Sequence, residues 1–386
     1  MIMTRPSGTA SKRTRCSRSR DILRLVTRFV ALAVATMAAF GQGWGHREAM
    51  RPWLEGRFAD AEQIFAAKQN YLGPIMQGPL FYWEAEFETE RGHYGLAASL
   101  LAKAKRVETL DSAAAEMYEK RLARLYLSVG RFRDAERQAL NGRKWDGADI
   151  RKLHLQFASS LTTLGEVYLA KGRLVEAAAL LERAIKEAKS VSSIDGPEWV
   201  RARNGLAVAD LGLGSEVIAA QIAEETQRAA AREWGATSIP AMDSLHTIGT
   251  ILVAAKRMPE AHEALGRSRA FRVALYGRDH PKVAESYMQA AVLASAEGDS
   301  VASVEFAKQS LMITKLLAAN GVDGRWASAL VVAAPLFAKA GDLSLAKQCL
   351  SSAVPILERE LGSNAPSVDV ARRQLASQSG GPPRTN

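Results

Sequence analysis

The chain has 386 residues, 47% of them hydrophobic, and a net charge of +10. That length allows two ordinary domains or one extended repeat array, and the Ala- and Leu-rich apolar set lacks the clustered β-branched and aromatic runs of strands. An all-helical protein is favoured over a sheet protein. The charge suggests nucleic acid, but its location argues against that.

Residues 1–41 hold eight basic residues (Arg5, Lys12, Arg13, Arg15, Arg18, Arg20, Arg24, Arg28) against one acid, Asp21, and so carry most of the net charge. The uncharged stretch FVALAVATMAAF follows at 29–40. A basic region followed by a short apolar core reads as an export signal, being too short for a span of about 20 residues. Residues 1–41 are therefore expected to be a signal peptide cleaved near Gln42, with translation starting at Met1 or Met3. The alternatives are a retained N-terminal membrane anchor over 29–40 or a disordered basic tail. The expected location is periplasmic or extracellular. Of the two cysteines, Cys16 falls in the leader. Cys349 neighbours a core position and reads as a buried filler with no partner for a disulfide.

From residue 49 onward a unit recurs. Ala61, Ala97, Ala135, Ala177, Ala219, Ala261, Ser303 and Ala346 recur at 36 to 43 residues, the later spacings being 42 or 43. Five residues before each stand Gly56, Gly92, Gly130, Gly172, Gly214, Lys256, Gly298 and Gly341. Glycine averages about 7% of a chain, so seven glycines in one column of eight mark a structural requirement: a left-handed residue ending one helix before the next begins. Twelve before each anchor stand Ala49, Ala85, Ala123, Gly165, Ala207, Gly249, Ala291 and Ala334. Small residues on both helices let a pair cross closely. Four after the anchors, Phe65, Leu101, Ala139, Leu181, Ala223, Leu265, Ala307 and Leu350 continue the same face. The pattern predicts about eight antiparallel helix pairs over 42–376, each covering its neighbour's apolar flank, followed by a disordered tail over 377–386.

The segment LGEVYLAKGRLVEAAALLERA (164–184) closely resembles the tetratricopeptide repeat, with Leu164, Gly165, Tyr168, Gly172, Ala177, Leu181 and Ala184 matching its signature in order. The 42-residue period and LYGRDHPKVA (275–284) resemble the kinesin-light-chain variety of that repeat. LGSNAPSVDVA (361–371), Pro197 and Pro240 fall in comparable loops. The tyrosine column varies, holding Tyr126 and Tyr168 but also Glu88 and Asp210. Pro52 and Pro335 fall inside first helices, where a frayed start and a local kink are expected. The resemblance implies an all-α, right-handed superhelical solenoid whose first helices line a concave groove.

Enzyme chemistry leaves no mark. The six histidines (His46, His93, His154, His246, His262, His280) form no metal-binding pair on one helix and read as solvated or loop residues. LGLGSE (211–216) lacks a preceding strand and reads as a helix turn. Glu84/Glu86 and Glu224/Glu225 read as exposed helix surface. Lys120, Arg121, Arg124, Arg131, Arg133 and Arg137 are interleaved with Glu116, Glu119, Asp134 and Glu136, which reads as a solvated surface rather than a nucleic-acid groove. No cofactor or metal is expected.

By resemblance, ligands lie across the residues eleven and fifteen before each anchor. These are Tyr82 and Glu86, Lys120 and Arg124, Thr162 and Glu166, Asn204 and Val208, His246 and Thr250, Met288 and Val292. The expected function is a non-enzymatic scaffold binding a peptide or protein partner in the groove, without nucleic acid and with membrane contact only through an uncleaved leader. The alternative is an accessory or regulatory subunit of an envelope or secreted enzyme complex, contacting it through the convex face or an array end.

Overall fold

The computed structural model describes residues 48–71, 74–107, 112–141, 150–189, 197–318 and 323–378. The expected leader, with its cleavage position and apolar core, lies outside the described residues, as do His46 and residues 379–386. Among the described residues every regular element is an α-helix. No helix among them is long and apolar enough to cross a membrane.

Among the described residues eight helix pairs follow one another. They are α1 (48–54) with α2 (Phe58–Tyr71), α3 (Pro74–Glu90) with α4 (Tyr94–Val107), α5 (Ser112–Ser128) with α6 (Phe132–Asn141), and α7 (Ile150–Lys171) with α8 (Leu174–Lys189). Then come α9 (Pro197–Gly212) with α10 (Glu216–Trp234), α11 (Ile239–Ala254) with α12 (Met258–Tyr276), α13 (Pro281–Glu297) with α14 (Ser300–Ala318), and α15 (Asp323–Lys339) with α16 (Leu343–Leu361). A last helix, α17 (Pro366–Ser377), packs on α16 and covers the end of the array.

All three sequence columns take the places their chemistry requires. Each anchor, each small residue twelve before it and each residue four after it is buried. At the closest crossings the small residue is glycine: a Cβ on Gly165 would stand 2.6 Å from Leu181 Cγ, and one on Gly249 2.6 Å from Leu265 Cγ. The glycine column ends every first helix in the same way. In unit four Gly172 N–H donates to Leu169 O at 2.9 Å and Arg173 N–H to Tyr168 O at 2.9 Å, and the same pair of bonds recurs in the other seven units. This closure needs a left-handed residue, and φ in the column runs from +58° to +93°.

Lys256 is the exception that holds the column's geometry without its residue. At φ +58° it is the one non-glycine with positive φ among the described residues, yet its turn bonds match those of the other units. A Cβ in that region costs about 1–2 kcal/mol. Lys256→Gly is therefore expected to raise stability by about 1 kcal/mol, the glycine's greater unfolded-state entropy offsetting part of the relief. A shift of the urea midpoint to higher concentration at constant slope would register it.

Loops between pairs follow a second rule. Gly235, Gly277 and Gly362 end α10, α12 and α16 with φ of +95°, +78° and +92°, and a proline then opens or nearly opens the next helix at Pro240, Pro281 and Pro366. Ser238 Oγ caps α11 and His280 Nδ1 caps α13. Helix α15 runs on through Pro335, so the proline does not break it. The LGLGSE segment is a turn, with Gly214 at φ +83° between α9 and α10. Cys349 is buried, and burial pushes its thiol up to about 11, which leaves it an inert filler.

The array also closes on itself. The turn glycines of the first four units lie against elements five units further on: Gly56 against Leu275, Gly92 against His280, Gly130 against Gly324 and Arg325, and Gly172 against Pro366 and Ser367. Helix α16 accordingly touches α6, and α17 touches α7. One superhelical turn thus takes about five units, and the two turns meet along a seam.

Candidate functional site

Inside the closed turn lies a cavity of about 410 Å³, with a wall drawn from all eight units. Its apolar side is built by Met50, Trp53 and Leu54 of α1, Trp83 of α3, Leu127, Leu169, and Ile239 at the start of α11. The remaining wall is charged, with each carboxylate engaged by a cation. Glu86 pairs with Arg124 at 2.6 Å and Arg121 at 3.0 Å. Glu166 takes two hydrogen bonds from Arg201, at 2.6 and 3.0 Å. Asp243 holds Arg272 at 2.8 Å and Lys282 at 2.7 Å, while Glu285 holds Arg325 at 2.8 Å.

Burial alone would raise the Glu86 carboxyl, but Arg121 and Arg124 outweigh it and hold the group at about 2. Burial likewise opposes ionisation of Asp243 and Glu90, and Lys282 in each case contributes the largest opposing effect, leaving both carboxyls lowered from their ordinary values. These groups are charged and mutually satisfied near neutrality. Such a wall is preorganised.

Five polar atoms on lining residues break that rule. Trp53 Nε1, Asn204 Oδ1, His246 Nδ1, Arg272 Nε and Arg325 Nε are buried without a hydrogen-bond partner. Trp53 and Arg272 are 5% and 3% exposed, so water does not satisfy them freely. Each such group costs about 1–3 kcal/mol if left unpaired. Three of the five are N–H donors that cannot accept, so the wall is short of acceptors.

The sequence-predicted residues divide. Glu86, Arg124, Glu166, Asn204, Val208 and His246 line the cavity. Tyr82, Thr162 and Met288 are packed between helices, Tyr82 and Thr162 at 0% exposure, so these three are corrected to core positions. Thr162 Oγ1 spends its proton on Ala158 O at 2.8 Å, and Thr250 Oγ1 on His246 O at 3.1 Å. Thr250, Lys120 and Val292 lie outside the lining. Burial and the neighbouring Arg121 push the Lys120 amine down to about 8.

The division has a geometric cause. In units two to four the lining residues other than Trp83 stand eleven or fewer before the anchor, as with Glu86, Thr89, Arg124, Leu127, Glu166 and Leu169. In units five and six they include residues fifteen and eighteen before it (Arg201, Asn204, Asp243, His246). In units seven and eight they are eighteen and twenty-one before it (Lys282, Glu285, Arg325). The cavity therefore crosses the inner helices obliquely, its lining moving towards their starts between the fourth and the eighth unit. A fixed pair of columns meets it only in the middle. Arg201, Asp243 and Glu285 share one register, and a charge repeated on otherwise apolar inner helices was the available signal.

Several surface expectations change as well. Arg121, expected on a solvated face, is 4% exposed, whereas Arg131, Arg133 and Arg137 do remain exposed. Glu86 is likewise no surface residue. His93 and His262 are exposed and face Glu88 and Glu297. His246 is on the cavity wall and His280 is 6% exposed, so neither is a solvated histidine. His280 Nδ1 accepts from Lys282 N–H at 3.1 Å, Nε2 donates to Glu90 O at 3.0 Å, and the ring stacks on Tyr276 at 4.2 Å. Among the described residues no group of His, Cys, Asp and Glu could hold a metal ion.

A pH dependence follows from His280. Burial holds its imidazole down at about 4, and protonation would remove the Nδ1 acceptor that caps α13. A folded pKa below the unfolded value near 6.5 means that the unfolded chain binds more protons between them. The stability contribution is full above about 6.5 and lost as pH falls towards 4, by about 3 kcal/mol in total. Urea titrations at pH 7 and pH 4.5 should show the fall. His280→Asn, which can still cap but does not titrate, should flatten it; an unchanged slope would place the effect elsewhere.

Residues 157–198 and 242–282 match the family model described as tetratricopeptide repeat. No curated protein matches the chain. A Rap protein complexed with competence and sporulation factor is similar over 89% of this chain and 98% of its own, at 10% identity and a TM-score of 0.57. The apo form of RapI is similar over 78% of this chain and 99% of its own, at 11% identity and a TM-score of 0.49. A putative kinesin light chain from Podosopora anserina, with nearly identical TPR-like repeats, matches over 55% of this chain and 98% of its own, at 21% identity and a TM-score of 0.36.

Proposed function

We propose that this chain, a tetratricopeptide-repeat protein, is a non-enzymatic scaffold whose central cavity holds an extended peptide segment of a protein partner. The observation that carries the proposal is that five residues lining the cavity each carry a buried polar atom without a partner. Main-chain carbonyls of an extended segment supply the acceptors that Trp53, Arg272 and Arg325 lack, while the apolar side formed by Trp53, Trp83 and Ile239 takes a side chain. A neutral charge balance in the wall suits a peptide backbone better than a polyanion. The Rap protein of similar fold is complexed with competence and sporulation factor; a complex of comparable kind is what we propose for this chain.

Asn204 and His246 test the proposal. They occupy equivalent positions on α9 and α11, both line the cavity, and each carries an unpartnered atom. Removing them takes away no hydrogen bond made by those atoms in the free protein, so Asn204→Ala with His246→Ala should leave the thermal unfolding curve nearly unmoved. Partner binding, measured by calorimetry with a protein recovered by pull-down on residues 42–386, should weaken at least tenfold, since a lost bond at a desolvated site costs about 1–3 kcal/mol. Unchanged affinity would move the site off the cavity.

A second reading is favoured by one observation. Val175, Val217 and Val301 stand two residues before their anchors and are 67%, 82% and 83% exposed. Exposed apolar residues repeated at one edge suit an accessory subunit docked from outside. Val217→Asp with Val301→Asp would abolish capture under this reading and spare it under the first. The leader over 1–41 would place either scaffold outside the cytoplasm; N-terminal sequencing of exported protein should begin near Gln42.

A further inference from the structure

We infer that the cavity admits a free peptide end, entering along the superhelix axis, and excludes an internal loop of a folded partner. The inference rests on the cavity reading above and adds to it the way the wall is closed. An open solenoid has a groove that a loop can enter from the side. Here the side is shut by the seam between the first four units and the elements five units on. Tyr276 Oη donates to Glu90 Oε1 at 2.6 Å, Lys282 Nζ donates to the same oxygen at 2.5 Å, and His280 Nε2 donates to Glu90 O. These three bonds tie the end of α3 to the α12–α13 junction. Further along, the Gly130 turn lies directly on the start of α15, where a Cβ on Gly130 would overlap Arg325 N and one on Gly324 would overlap Gly130 O. Past that, a Cβ on Gly172 would stand 3.1 Å from Ser367 N at the start of α17.

The seam is closed by backbone contact and by part-buried hydrogen bonds, so it does not part at little cost. A loop would have to bring two chain segments through an axial opening and turn inside a cavity of about 410 Å³, at the small end of the range for ligand pockets. One extended segment needs a single passage. The same closure means that the residues carrying the five unpartnered atoms, which belong to α1, α9, α11, α12 and α15, surround the bore rather than lie along an open surface. An extended end surrounded on all sides can reach donors on several of these helices at once.

Random hexapeptides displayed on a carrier protein and selected against the full chain provide the test. Three formats are needed: a free amino end, a free carboxyl end, and a loop fixed at both ends. Binders are expected from one or both end formats, and transfer of a selected sequence into the loop should weaken it at least tenfold. Gly324→Ala, which forces the seam apart, should narrow that difference; if this variant does not fold, the comparison of formats on the native chain still decides. Loop binders of equal affinity would overturn the inference while leaving the cavity reading in place. No binder in any format, together with partner capture indifferent to the Asn204 and His246 changes, would overturn both.

Discussion

Glu86→Ala is expected to destabilise the protein by about 3–5 kcal/mol, the range for removing one partner of a buried ion pair. Glu86 is 9% exposed and Arg121 is 4% exposed, so neither is rescued by solvent. Arg121 is fixed besides by its Nε bond to Tyr82 O at 2.8 Å and by its place over the Trp83 ring at 4.3 Å. It cannot swing out to water without giving those up, and alanine would leave its charge buried against Arg124. Arg124 loses less, since Glu90 and Glu198 remain at 3.7 and 3.8 Å. Glu86→Gln keeps an acceptor and should cost less than alanine. The depressed carboxyl, at about 2, gives the acid limb its sign: the contribution is present above about 4.5 and lost as pH falls through 2. Guanidinium melts of the two variants at pH 7 would check the order, and equal stability of alanine variant and parent would mean the pair is solvated.

The repeat architecture was legible because it depends on residue size and backbone handedness, which single residues report. Gly172, Ala177 and Leu181 each meet one local demand, and the same demand recurs in every unit. Even Lys256 obeys it: the column located a left-handed residue where composition would not have suggested one. Ring closure left no comparable mark. Gly130 and Gly324 are 194 positions apart, and Gly130 was already explained by its own turn. A residue satisfying two constraints shows only the nearer one in a linear pattern.

The site was half legible for the same kind of reason. Glu86, Arg124, Glu166, Asn204 and His246 were reached because the resemblance to the repeat family names two columns of the inner helix, which a spacing of four keeps on one face. Tyr82, Thr162 and Met288 were placed on the same face but away from the diagonal along which the cavity runs, and they ended in helix packing. Arg272 was missed altogether because it comes from the second helix of its unit, reaching the wall through Asp243 and the Lys282 carbonyl. His280 shows the opposite error. Its motif explained it as a loop residue, and its second bond, to Glu90 O, belongs to the seam.

Gly130→Ala should cost about 2–5 kcal/mol and open the superhelix, whereas Gly298→Ala should cost only about 1–2 kcal/mol and leave its shape alone. Both glycines end a first helix at the same point of the repeat, with φ of +75° and +88°. An alanine at either pays the left-handed penalty of about 1–2 kcal/mol. Around Gly298 a Cβ meets nothing within 4 Å, so the penalty ends there. At Gly130 the Cβ would stand 3.1 Å from Gly324 Cα and closer still to Arg325 N, and main chain cannot rotate away as a side-chain tip can. Overpacking of that kind adds about 1–3 kcal/mol unless the elements separate. Backbone against backbone is relieved only if α15 moves away, which also disturbs the core that Phe132 and Ala135 share with Ala327 and Leu330 of that helix. Moving it shifts Arg325 from the cavity wall. The variant should therefore show a larger radius of gyration in small-angle scattering and weaker peptide binding, with the helical signal retained. Equal stability losses in the two variants, with unchanged scattering, would mean that the seam at Gly324 is not closed in solution, and the cavity would then be an open groove.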